Sequence, residues 1–186
     1  MATLFGPADL AIGMRESISR VRLFDGPLDL SWHHCATTSD FIADLFALRF
    51  QSSRNDYREV RHCIGYLVNE LIENAVKFRV PGEIMIESSI DSGNFKVKVS
   101  NVVDGETAVE FQNLLSEITV GDPGELLIRW IEANAADPET TRSGLGLLTL
   151  MSDYGARLAW TFSPTDESDR IWLETYASIP VPQTHS

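Results

Sequence analysis

Glu70, Asn74 and Lys77 follow one another at intervals of four and three within the segment Leu67 to Phe78. On an α-helix turning by about 100° per residue they fall within a sector of about 60°, so their side chains can converge. A carboxylate, an amide oxygen and an ammonium group at one helix margin provide a general base, a ligand for a hard cation and a partner for phosphate, the parts that phosphoryl transfer requires. Taken singly, such residues at a helix margin are more often solvated than functional. Glu73 points nearly opposite the apolar Ile64 and reads as surface. Ser143-Gly144-Leu145-Gly146 runs into the apolar segment Leu147 to Met151. Bare N–H groups at such a helix start can meet an anion; equally, the glycines can serve a tight turn with close packing. The turn lacks the lysine of a Walker A loop and the third glycine of a dinucleotide fingerprint. Asn101 ends a strand face otherwise made of Phe95, Val97 and Val99, where an amide needs a partner in the backbone or in a ligand. His33-His34-Cys35 offers no metal site, because adjacent residues cannot easily face one ion and no second ligand pair is spaced to help. His62 reads as a packed or edge histidine.

Several elements must position these groups. Tyr57, Val60, Ile64, Leu67, Val68, Leu71, Ile72 and Ala75 recur at helical spacing, which predicts an amphipathic helix from Tyr57 to Phe78, ended by Pro81-Gly82. Glu83 to Ile90 and Phe95 to Val99 alternate about the turn Asp91 to Asn94 and predict an antiparallel hairpin. Helices are expected over Ala108 to Ile118 and Gly124 to Ala136, a short helix at Leu147 to Met151, and strands near Leu158 to Phe162 and Ile171 to Ile179. Ahead of the long helix, Leu10 to Val21 reads as a helix or a strand. Leu28, Leu30 and Trp32 alternate as a short strand after the turn Asp25-Gly26-Pro27, Ser39-Asp40 is a candidate helix cap, and Ser52 to Asp56 reads as a loop. The order predicts an α/β (α+β) two-layer sandwich, with one helical layer on a mostly antiparallel sheet.

The chain has 186 residues, long enough for one well-filled core, and shows no linker, repeat or low-complexity tract, so a single domain spanning 1–186 is expected. Fifteen Lys and Arg stand against 27 Asp and Glu; the net charge of -12 would repel a phosphate backbone, which argues against general nucleic-acid binding. Two cysteines make no disulfide framework, and no apolar run suits a membrane span or a secretory signal. These features point to a soluble, reducing, cytoplasmic setting.

In the order helix, strand end, glycine turn, the three candidate segments resemble the N-box, G1 box and G2 box of the GHKL superfamily of ATPases and kinases. "LVNELIENAVKF" (Leu67 to Phe78) is similar to the N-box and "RSGLGLLTLM" (Arg142 to Met151) to the G2 box. The resemblance implies a Bergerat-type ATP-binding fold using ATP and Mg²⁺. Residues 1–56 would form N-terminal strand and helix elements, and 104–143 a helical lid. It also implies roles: Glu70 as general base, Asn74 as the Mg²⁺ ligand, Lys77 as a phosphate contact, and Arg142, Ser143, Gly144, Leu145 and Gly146 as the phosphate-binding turn. Where the family has Asp-x-Gly-x-Gly, this chain has Asn101-Val102-Val103-Asp104-Gly105. Asn101 stands in place of the adenine-binding aspartate, Gly105 remains and one glycine is missing. The amide oxygen of Asn101 can accept from an adenine amine through a bond weaker than a carboxylate's.

A glutamate four residues before the N-box asparagine resembles the anti-sigma-factor and serine/threonine-kinase branch, and within it the small SiaB-like kinases of bacterial signalling. No histidine followed by an acidic residue precedes the N-box on a helix, so a phosphoacceptor would belong to another protein. The expected activity is phosphorylation of a Ser or Thr on a small regulatory partner in a partner-switching system, with no nucleic acid or membrane involved; a homodimer is compatible with it. The alternative is a protein of the same fold, catalytically weak or inactive, that sequesters a signalling partner. The retained Glu70 favours the first and the altered G1 box the second.

Overall fold

The structure, a computed structural model, describes residues 2–13, 19–24, 30–136, 144–167 and 169–182. Its elements run β1 (Thr3–Phe5), α1 (Ala8–Gly13), β2 (Ser19–Phe24), α2 (Trp32–Ala47), α3 (Arg54–Phe78), β3 (Glu83–Asp91), β4 (Asn94–Asp104), α4 (Gly105–Ile118), α5 (Pro123–Ala136), α6 (Leu145–Asp153), β5 (Arg157–Pro164) and β6 (Arg170–Pro180). The strands form one six-stranded sheet in the order β1-β5-β6-β4-β3-β2, with every neighbouring pair antiparallel. This is the mixed α+β sandwich expected from the sequence.

The stripe on α3 decides the packing. Ile64, Leu67, Val68 and Ile72 are fully buried with Ile84, Phe95 and Val97 of the sheet, in one core that also takes in Ile42 and Phe46 of α2. Phe46 meets Phe95 edge to face at 5.1 Å. The β3–β4 connection is a two-residue turn in which Ser92 (φ 49°) and Gly93 (φ 74°) both adopt positive φ, the backbone that matches the twist of a hairpin.

Three local expectations are corrected. Trp32 is not in a strand: it opens α2, because the Ser31 N–H donates to His34 Nδ1 at 3.1 Å and closes the helix start. Of the expected strand Leu28 to Trp32, residues 28 and 29 lie outside the described residues. Ser39 does not cap a helix; it lies inside α2, its hydroxyl donating to the Ala36 carbonyl at 2.9 Å. The loop expected from Ser52 to Asp56 is shorter, since Ser53 caps α3 by accepting from the Asp56 N–H at 3.3 Å and the helix begins at Arg54. The Leu10 to Val21 stretch divides into the end of α1 and the start of β2.

One face of the sheet carries the helical layer. On the other, Leu10 of α1 packs on Ala159 and Tyr176, beside a row of polar groups that crosses the strands. Glu87 of β3 lies opposite Lys98 of β4 and Arg20 of β2 and pairs with both, the Arg20 Nη2–Oε1 distance being 2.5 Å. Lys98 also reaches Glu174 at 3.5 Å, whose Oε2 accepts from Thr161 at 3.0 Å and Tyr176 at 2.9 Å. Burial alone would push the Glu87 carboxyl up, but hydrogen bonds from Lys98 and Arg20 outweigh it and hold it below the usual carboxylate range. Glu87→Gln is expected to cost about 2 kcal/mol at neutral pH, since it strips a buried ammonium of one partner. A depressed folded-state pKa contributes stability above the unfolded value that is lost as the pH falls through the folded one. Urea unfolding of the two proteins should therefore give stabilities that converge in acid.

Candidate functional site

The buried stripe leaves one margin of α3 facing α6 and the helices α4 and α5. Along that margin Glu70 and Asn74 sit one helical turn apart, as their spacing requires. A cleft of about 460 Å³ opens here, walled by Asn74 and Phe78 of α3, Phe111 and Leu114 of α4, Trp130 of α5, and Gly144 and Leu147 at the start of α6. Its inner side narrows to a recess of about 20 Å³, room for about one water, floored by Asn101, Trp160 and Thr175 of the sheet and shared with Asn74 and Phe111. Within the segment 104–143, expected as a helical lid, α4 and α5 wall the cleft, and residues 137–143 lie outside the described residues.

Two glycines let these parts approach. Gly144 caps α6 at φ 100°, a left-handed backbone that side chains rarely adopt, and a Cβ there would stand 3.2 Å from both Leu114 and Trp130. Gly146 lies against the Glu70 carboxylate: a Cβ on it would overlap Oε2 and stand 2.7 Å from Cδ. Glycine at 146 is therefore what brings the carboxylate to the α6 N-terminus, where the first backbone N–H groups have no partner within the helix. Burial pushes the Glu70 carboxyl above its ordinary value, and the nearby charge of Glu73 raises it further. Glu73 is half-buried, accepting from Asn69 Nδ2 at 2.8 Å, and so is more than the surface residue expected from the helical wheel.

The other expected site residues are distributed unevenly. Asn74 lines both cleft and recess, and Asn101, 2% exposed, lines the recess. Lys77 is exposed with its ammonium 4.8 Å above the Phe78 ring, at the rim, and lines neither. Gly105 opens α4 and donates its N–H to the Asp169 carbonyl at 3.1 Å, a structural contact outside the cleft. Leu145 packs against the core. Arg142 and Ser143 lie outside the described residues. His62 is the edge histidine anticipated, 3.2 Å from the Tyr154 hydroxyl, which belongs to a ring stacked on Tyr66. Trp160, Thr175, Phe111 and Trp130 were not singled out from the sequence. Thr175 had a signal, since its strand parity places a hydroxyl among Leu173, Ala177 and Ile179; the aromatic residues had none beyond apolar periodicity.

As a cation site the margin is sparse. Among the described residues no group of three or more His, Cys, Asp or Glu could hold a metal ion. Mg²⁺ commonly takes one or two protein oxygens and completes its shell with water and phosphate, a demand the Asn74 amide oxygen fits. Among the described residues no helix is long and apolar enough to cross a membrane.

No protein-family model matches the chain, and no curated protein matches it in sequence. Its fold is similar to that of a chain in the crystal structure of the SiaB–SiaC complex from Pseudomonas aeruginosa, with a TM-score of 0.58 and 14% sequence identity, over 91% of this chain and 94% of that one. At that identity the likeness is one of fold.

Gly146→Ala is expected to cost about 1–3 kcal/mol by forcing the Glu70 side chain out of its place, as overpacked sites do. Combining it with Glu70→Ala should recover most of that loss. Thermal unfolding of the two single variants and the double variant checks the coupling, and strictly additive losses would place the clash elsewhere.

Proposed function

We propose that the chain is an ATP- and Mg²⁺-dependent kinase that phosphorylates a Ser or Thr hydroxyl of a small regulatory partner protein in bacterial signalling, and so switches what that partner binds. The observation that carries this reading is the meeting of Glu70 with Gly146 at the start of α6, while Asn74, one turn along α3, faces the cleft. Segments far apart in the sequence thus meet at the start of α6, where Gly144 and Asn74 line the cleft while Glu70 and Gly146 lie against each other beside it. The likeness in fold to a chain from a complex of two proteins supports a regulatory role exercised through a protein partner.

Asn74 would hold Mg²⁺, which when bound would offset phosphate charge. The turn ending in Gly144 to Gly146 would present backbone N–H groups to phosphate oxygens. Glu70 would accept the proton of the acceptor hydroxyl as its oxygen bonds to the γ-phosphorus and the bond to the departing ADP breaks. Burial and the charge of Glu73 raise the pKa of Glu70, which makes the ionised carboxylate a better proton acceptor than an ordinary one.

Two expected outcomes test the reading. Asn74→Ala should remove the Mg²⁺-dependent part of ATP binding measured by calorimetry. Glu70→Gln should spare binding of ATP and partner but lower phosphotransfer by about 10²–10⁴-fold, the range for a positioned acid–base group. The same variant should fold at least as stably as the wild type at neutral pH. A carboxyl whose folded-state pKa is raised costs stability once the pH passes above both its unfolded and folded values, and glutamine removes that cost. Labelled ATP, the partner and analysis for phosphoserine and phosphothreonine give the readout. A stable complex without phosphotransfer would make the chain a sequestering protein of the same fold, and absence of ATP binding at millimolar concentration would remove the nucleotide from the account.

A further inference from the structure

Helix α2 is apolar on two sides, and the fold uses one of them. Cys35, Ile42, Ala43, Phe46 and Ala47 are buried in the core. On the other side Phe41 and Leu45, with Leu48 in the single 3₁₀ turn that follows the helix, are 58%, 42% and 54% exposed. Exposed apolar residues are ordinary when scattered. These three continue from His34 and Thr38 at steps of four and three, the spacing of a seam that packs against another helix. The elements in close contact with α2 are α3 and the turn Leu48–Phe50, and both lie away from this row.

The charges beside the row are sorted along it. Asp40 and Asp44 flank its middle, held by Arg61 of α3 at 3.2 and 2.5 Å. α3 runs antiparallel to α2, since Tyr57 reaches Asp44 at 3.4 Å while Asn69, farther along, meets Ser39 at 3.5 Å. Arg58 and Arg54, which share the Arg61 side of α3, therefore fall beside the C-terminal end of the row together with Arg49. Arg49, Arg54 and Arg58 are exposed, and none is in an ion pair with a described residue. A face that is acidic toward one end, basic toward the other and apolar alongside matches itself when turned end for end, as a two-fold axis requires. We infer that α2 is the interface of a homodimer, in which two copies pack antiparallel with Phe41 of each against Leu45 of the other and Arg58 of each beside Asp40 of the other. Arg61 and Glu70 lie on opposite sides of α3, so this pairing leaves both clefts open. It needs no nucleotide and stands apart from the kinase reading.

Sedimentation velocity of the full chain without nucleotide, over about 1 to 100 µM, tests it. The wild type should form a reversible dimer. Leu45→Glu should raise the dissociation constant by about 30-fold or more, as loss of a central apolar contact does, with an unchanged circular dichroism spectrum because Leu45 lies outside the core. Val120→Glu, at an apolar residue of α4's far end that is 86% exposed, should leave the dimer as it is. Arg58→Asp should weaken the dimer about 10-fold, and Asp40→Arg in the same chain should restore it, since the swap exchanges the two ends of the charge pattern. A monomer throughout the range overturns the inference, as does a dimer indifferent to Leu45→Glu or equally broken by Val120→Glu. A dimer that Leu45→Glu breaks but the charge swap fails to restore overturns the antiparallel arrangement.

Discussion

Complete burial of the α3 stripe leaves that helix a single rotation about its own axis. Ile64, Leu67, Val68 and Ile72 have essentially no exposed surface, so a turn of even one residue would move a large apolar side chain into water and a charged one into the core. Everything at the cleft inherits this orientation. Glu70 and Asn74 are held at the margin between sheet and α6 because their neighbours are committed elsewhere, and the two can face different environments, one the α6 backbone and the other the cleft, because they lie one turn apart.

That dependence explains which features could be read from the sequence. The long helix, the hairpin and the two C-terminal strands follow from periodicity sustained over many residues, and the convergence of Glu70 with Asn74 follows from helix geometry alone. The contact between Glu70 and Gly146 spans 76 positions and is fixed by how two elements pack, which no local pattern encodes. The start of α2 failed for the converse reason: Leu28, Leu30 and Trp32 alternate like a strand, while the Ser31–His34 bond, a contact of only three residues, decides the local backbone. Trp160 and Phe111 alternate or recur as core residues do, so their place at a recess was hidden behind their place in the core.

Both faces of the sheet carry polar groups, and each leaves a buried atom without a hydrogen-bond partner among the described residues, Ser100 Oγ on the outer face and Trp160 Nε1 on the inner. On the outer face Glu87, Lys98, Glu174, Thr161 and Tyr176 answer one another across the strands. The Tyr176 hydroxyl is pushed up to about 12 by burial and by its bond to Glu174. On the inner face Asn101 and the Trp160 indole are left with bonding capacity to spare, and Glu70 is kept in surroundings that penalise its charge.

Helix α5 buries one side chain completely. Trp130 is its one fully buried residue; Leu126 and Leu127 pack only partly, while Ile128 and Ile131 are more than half exposed. With most of its surface in water, α5 is expected to exchange its amide hydrogens with solvent before the central strands β4 and β6 do.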